Sequence, residues 1–126
     1  MKTNDYIKNA IKTESQNFDE ISKRLSSKKM IRTLHAAMGV STEAGELLDA
    51  IKKHVYYGKT LDEVNLFEEV GDLFWYLAIL ADELDFDFNE VMEKNIEKLK
   101  ARYGDKFSSE RAITRNLEQE RSTLEH

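Results

Sequence analysis

The sequence predicts an all-α protein, a four-helix-bundle-like domain with a C-terminal helical arm, and three observations carry that prediction. There is no proline and there are only five glycines in 126 residues, so little interrupts a helix. No run of Val, Ile or Thr alternates with polar residues as a half-buried strand requires. Apolar residues recur at steps of three and four along successive segments, the spacing that gathers them on one side of a helix.

In the first segment Ile7, Ile11, Phe18, Ile21 and Leu25 predict one helix over 4–25, with Glu14 filling the polar turn and Ser26 and Ser27 closing it. The second helix is expected over 28–56, because Gly58 stands where the left-handed residue that ends a helix belongs. Thr60-Leu61-Asp62-Glu63 has the pattern of a capping box and predicts the start of a third helix reaching about Leu84. Asp87 caps a fourth, whose stripe Phe88, Met92, Ile96, Leu99 and Tyr103 runs to Gly104. Residues 109–125 favour helix but offer few apolar anchors, Ala112, Ile113 and Leu117, so an arm docked on a neighbouring subunit or a frayed tail is expected. The division is a helical domain over 1–107 and an arm over 108–126, whose closing Leu124-Glu125-His126 reads as either a tag remnant or a native ending.

A chain of this length supports one core. It has no cysteine, which removes disulfides, thiolate metal sites and cysteine nucleophiles and fits a reducing interior, so the cytoplasm is the expected location. Lys plus Arg number 19 against 24 Asp plus Glu, a net charge of −5, and no basic field for a nucleic acid polymer exists. The longest apolar stretch, Leu73 to Ala81, is far short of the ~20 residues of a membrane span, and residues 1–5 lack an apolar signal core. A soluble protein without a membrane partner is expected.

Two pairs of acids stand in apolar surroundings. Glu43 and Glu46 fall within Gly39-Val40-Ser41-Thr42-Glu43-Ala44-Gly45-Glu46-Leu47-Leu48, a stretch otherwise small or apolar. At about 100° and ~1.5 Å per residue their carboxylates come roughly 60° and ~4.5 Å apart on one face, close enough to share an ion. That face also carries His35, Gly39, Thr42, Ala50 and Lys53. In the third segment Asn65, Glu69, Asp72 and Tyr76 form a polar stripe beside the apolar seam Leu66, Val70, Leu73, Leu77, Leu80 and Leu84.

With 24 acids in the chain one such pair means little, and Glu90 and Glu93 share the spacing on an ordinary solvated face. Two pairs embedded in apolar sequence on consecutive helices are different, because ionised carboxylates brought together in a bundle interior repel unless cations neutralise them. All-oxygen ligation, with no Cys and no His inside either motif, favours Mg²⁺ or Mn²⁺ over zinc, and such an ion takes phosphate oxygens as further ligands. Two readings compete. One has the acids solvated beside Lys52, Lys53 or a partner's arginine. The other is a di-iron bundle, which calls for Glu-x-x-His, and neither His35 nor His54 follows a glutamate by three.

At this point the residues resemble the MazG-like, all-α nucleoside triphosphate pyrophosphohydrolases. Glu43-Ala44-Gly45-Glu46 and Glu69-Val70-Gly71-Asp72 fit that family's ExxE and ExxD, with 22 residues between them, and TEAGELLDAIKK, EEVGDLFWYLA and NIEKLKARY follow in family order over Leu34 to Tyr103. The resemblance implies hydrolysis of a (deoxy)nucleoside triphosphate to the monophosphate and pyrophosphate, by a homo-oligomer that is a dimer or a dimer of dimers. It makes Glu43, Glu46, Glu69 and Asp72 the Mg²⁺ ligands, Asn95 and Lys98 contacts to the triphosphate or sugar, and Tyr76 a residue facing the nucleotide.

Spacing adds that Asn95, Lys98 and Arg102 share a cationic face of the fourth helix, suited to a polyphosphate. Glu46 is the expected catalytic carboxylate that orients or deprotonates water, with Lys98, Arg102 or Lys53 steadying the pyrophosphate. His35, two turns before Glu43, either touches phosphate or fills a polar gap in an interface, and Trp75 either stacks on a base or packs in the core. Gln16 and Asn17 read a base edge or are solvated. A phosphoribosyl-ATP or dUTP hydrolase is the neighbouring enzymatic reading. The rival of a different class is a catalytically weak helical module that binds nucleotide or a partner protein.

Overall fold

The computed structural model describes residues 2–126, which form seven α-helices, one 3-10 turn and no strand. The all-α expectation holds, and the first predicted helix does not. Residues 4–25 divide into α1 (Thr3–Ala10) and α2 (Phe18–Leu25), separated by a 3-10 turn at Ile11–Thr13 and an extended Glu14. The run Thr13-Glu14-Ser15-Gln16-Asn17 explains the break. Its side chains compete for backbone carbonyls: Thr13 Oγ1 donates to Ala10 at 3.0 Å and Gln16 Nε2 to Ile11 at 3.5 Å.

α3 (Lys28–Tyr57) follows the prediction closely. Ser27 caps it by accepting the Met30 amide at 3.1 Å, and Gly58 ends it with φ 67°. α4 (Glu63–Leu84) starts later than a cap at Thr60 implies, because Asp62 performs the capping: its Oδ1 accepts the Asn65 amide at 3.0 Å. Asp85, at φ 56°, closes α4. α5 (Phe88–Tyr103) is capped by Asp87, which accepts the Asn89 amide at 2.8 Å, and ends at Gly104. The C-terminal arm holds two helices. It forms α6 (Ser109–Ile113) and α7 (Leu117–Glu125), and α7 folds back on α5.

The chain divides into two compact units, 1–76 and 77–126, with the boundary inside α4. In the first, Ala36 and Gly39 on α3 and Glu69 on α4 are buried. In the second, Ala81 and Glu120 are. No large side chain is fully buried among the described residues, and Leu34, Met38, Leu48, Phe67, Phe74 and Trp75 are all exposed. On α5 the expected apolar stripe lies outward at Phe88, Met92 and Ile96, while Lys94, Lys98 and Arg102 are half-buried. No helix among the described residues is long and apolar enough to cross a membrane.

Candidate metal centre

Small residues let α3 and α4 bring their polar stripes together. The Tyr76 ring lies against the Gly39 backbone so closely that a Cβ on residue 39 would overlap the ring. Under that contact Glu69 is only 5% exposed. Asn65 Nδ2 donates to its Oε1 at 2.9 Å, but its Oε2 is buried and receives no hydrogen bond. Ligand oxygens of Glu43, Glu69 and Asp72 all lie within 4.8 Å of one another. Burial holds the Glu43 carboxyl above the usual carboxylate range, helped by a hydrogen bond shared with Glu69 and by repulsion from Glu46, Asp72 and Glu69.

The donor set suits a hard divalent cation. A buried carboxylate oxygen without a donor needs a positive neighbour, and oxygen-to-oxygen distances across such an ion's shell reach about 4–5 Å. Glu46 is exposed and stands outside the three-residue group, but it lines a cavity of about 530 Å³ with Glu69, Asp49, Lys53, Lys59 and Asn65.

The other expected site residues are placed as follows. His35 meets Tyr76 edge-on, ring centroids 5.7 Å apart, and Trp75 packs against the same ring at 4.8 Å. In the second unit Asn95 and Lys98 line a cavity of about 630 Å³ with Phe86, Val91 and Met92. Arg102 is turned to Glu120, donating from Nε at 2.7 Å and from Nη2 at 2.8 Å, and Arg115 Nη2 reaches the same carboxylate at 2.6 Å. These bonds drive the Glu120 carboxyl far below its ordinary range and hold the Arg102 guanidinium above its own. Sequence reasoning missed Glu120, since no periodicity links it to Arg102. It also missed Lys59, whose one signal is its place directly after a left-handed glycine.

Fold and site together define an all-helical protein with an acidic candidate metal centre drawn from two consecutive helices. The pattern of the MazG nucleotide pyrophosphohydrolase domain matches residues 31–107, more than half of the chain, and the chain belongs to that family. The matched span contains all four motif acids and Asn95, Lys98 and Arg102, and it stops before α6. The chain is also similar to the Gene 37 protein of Mycobacterium phage L5, with 34% identity over 74 residues covering 54% of this chain and 63% of that protein. The aligned part thus spans less than two thirds of the relative's length. No solved structure matches the chain.

Proposed function

We propose that the protein is a nucleoside triphosphate pyrophosphohydrolase that cleaves a ribo- or deoxyribonucleoside triphosphate to the monophosphate and pyrophosphate, dependent on Mg²⁺ with Mn²⁺ as a substitute. The observation that carries this reading is the Glu69 carboxylate, buried and with one oxygen lacking a donor, beside Glu43 and Asp72 in a chain of the MazG family. Glu43, Glu46, Glu69 and Asp72 would hold the ion. When bound, it supplies neutralisation of phosphate oxygens and a lowered pKa for water.

The chain's own residues do the rest. Glu46, exposed at the cavity beside Glu69, takes the proton of the attacking water. Asn65 fixes the Glu69 carboxylate through its 2.9 Å bond, so the ligand is oriented in advance. Tyr76, set between His35 and Trp75, forms a firm aromatic wall for the nucleotide. Asn95 and Lys98 serve as contacts to phosphate or sugar, a role that rests on the resemblance. The exposed Phe67, Phe74, Met92 and Ile96 favour a homo-oligomer, because a soluble protein covers such side chains. The cysteine-free sequence favours action in the cytoplasm.

Turnover of the purified protein against canonical and modified NTPs and dNTPs, with dUTP and phosphoribosyl-ATP included, tests the reading. Monophosphate plus pyrophosphate, formed only with divalent metal, is expected. No turnover by folded protein with either Mg²⁺ or Mn²⁺ would sink the enzymatic reading and leave a helical binding module.

A further inference from the structure

The turn between α3 and α4 sets a cation beside the carboxylates. Gly58 is left-handed, its amide and that of Lys59 both donate to the Lys53 carbonyl, and the Lys59 bond is 3.2 Å. The Lys59 carbonyl in turn meets His54 Nδ1 at 2.7 Å. Both backbone polar atoms of Lys59 are therefore held, and its side chain lines the cavity of Glu46, Asp49, Lys53 and Glu69.

The two lysines of that cavity differ. Lys53 Nζ lies 2.6 Å from Asp49, which also takes Lys52 at 3.1 Å. Lys59 has no ion pair among the described residues, so its ammonium is available to a ligand. The same cavity holds Glu69, whose Oε2 lacks any donor. An oxygen that needs a cation and an ammonium that needs an anion together suit a polyphosphate carried with a divalent ion. Ions that neutralise the carboxylates leave much of the phosphate charge uncompensated, and Lys59 is placed to meet it.

We infer that Lys59 binds the β- and γ-phosphates of the substrate and stabilises them as pyrophosphate departs. This rests on the proposed hydrolysis. The oxygen of water bonds to the α-phosphorus while the bond from that phosphorus to the α–β bridging oxygen breaks. The bridging oxygen leaves with the electron pair on pyrophosphate, the proton of water goes to Glu46, and the Lys59 ammonium meets the charge that develops on the departing group.

Calorimetric titration of the full chain with inorganic pyrophosphate, and separately with a nucleoside monophosphate, both in Mg²⁺, tests this. Lys59→Met should weaken pyrophosphate binding by about tenfold or more, leave monophosphate binding within about threefold, and lower kcat/KM for triphosphates by about tenfold or more, whereas Lys59→Arg should keep most of the affinity. The exposed position of Lys59 makes a folding defect easy to exclude by circular dichroism. Pyrophosphate binding unchanged in Lys59→Met, an equal loss of both ligands, or no pyrophosphate binding by the wild type at millimolar concentration would each overturn the inference. Lys59-dependent pyrophosphate binding by a protein that turns over no triphosphate would instead remove the hydrolytic reading and leave the anion contact standing.

Discussion

The ring of Tyr76 rests on the bare backbone of Gly39, with ring carbons Cγ, Cδ1 and Cε1 where a Cβ would be. Gly39→Ala gains about 1 kcal/mol of helix propensity but forces the two helices apart, and overpacking of this kind costs about 1–3 kcal/mol or more. A net loss of stability is expected in denaturant unfolding. The double variant Gly39→Ala/Tyr76→Ala should lose less than the sum of the two single changes, and strict additivity would show that the contact carries no strain.

Glu69→Gln should separate stability from metal binding. Removing one charge from a group whose oxygens lie within 4.8 Å relieves about 1 kcal/mol even at the dielectric of water. The metal-free variant is expected to melt above the wild type. Mg²⁺ and Mn²⁺ should no longer raise its melting temperature as they raise that of the wild type. An unchanged metal response would argue that Glu69 is not a ligand.

Two residues compete for the capping of α4, and the structure chooses Asp62. Asp62→Ala should cost about 1 kcal/mol, against a few tenths for Thr60→Ala. Chemical denaturation of both variants checks the ranking, and the reverse order would restore the capping box that the sequence suggests.

Glu120 ties the C-terminal arm to α5 through Arg102 and Arg115. Its folded carboxyl titrates well below the usual range, so its contribution to stability is complete above the unfolded pKa of about 4.5 and is lost as pH falls below that value. Glu120→Gln should lower the melting temperature at pH 7 by roughly 5 °C or more, since two guanidiniums then lack their shared counter-charge. The gap to wild type should shrink between pH 4 and pH 2. A gap that holds constant in acid would show that the ion pair is not its source.

Phe67 is 82% exposed on α4, a degree of exposure that calls for a covering surface. Light scattering behind size exclusion is expected to give an oligomer. Phe67→Glu should shift it toward smaller species or unfold it, and a wild type that runs as a well-folded monomer would refute the assembly.

Local chemistry was legible in the sequence where one residue decides the outcome. Gly58, Gly104 and Asp87 set helix ends by their own backbone or side-chain preferences, and the helices of the structure stop or start at them. The break at 11–17 was hidden because the stripe from Ile11 to Phe18 keeps helical spacing across it, while the competition of Thr13 and Gln16 for carbonyls leaves no mark on periodicity. The meeting of Glu43, Glu69 and Asp72 was foreshadowed by their spacing and their apolar neighbours. The Arg102–Glu120 pair was not, since Asn116 marks the start of a new helix by capping it but nothing local says that this helix turns back onto α5.

Surface connections are where proteins ordinarily gain and lose residues without harm. Residues 58–62 do not have that freedom. Their first two amides are welded to the end of α3, and Asp62 is welded to the start of α4. The 22 residues between Glu46 and Glu69 therefore act as a ruler whose length matters as much as its composition. One residue added or removed here would break one of those welds and release the acids of α4 from their register with those of α3, so length variants should be far rarer here than substitutions.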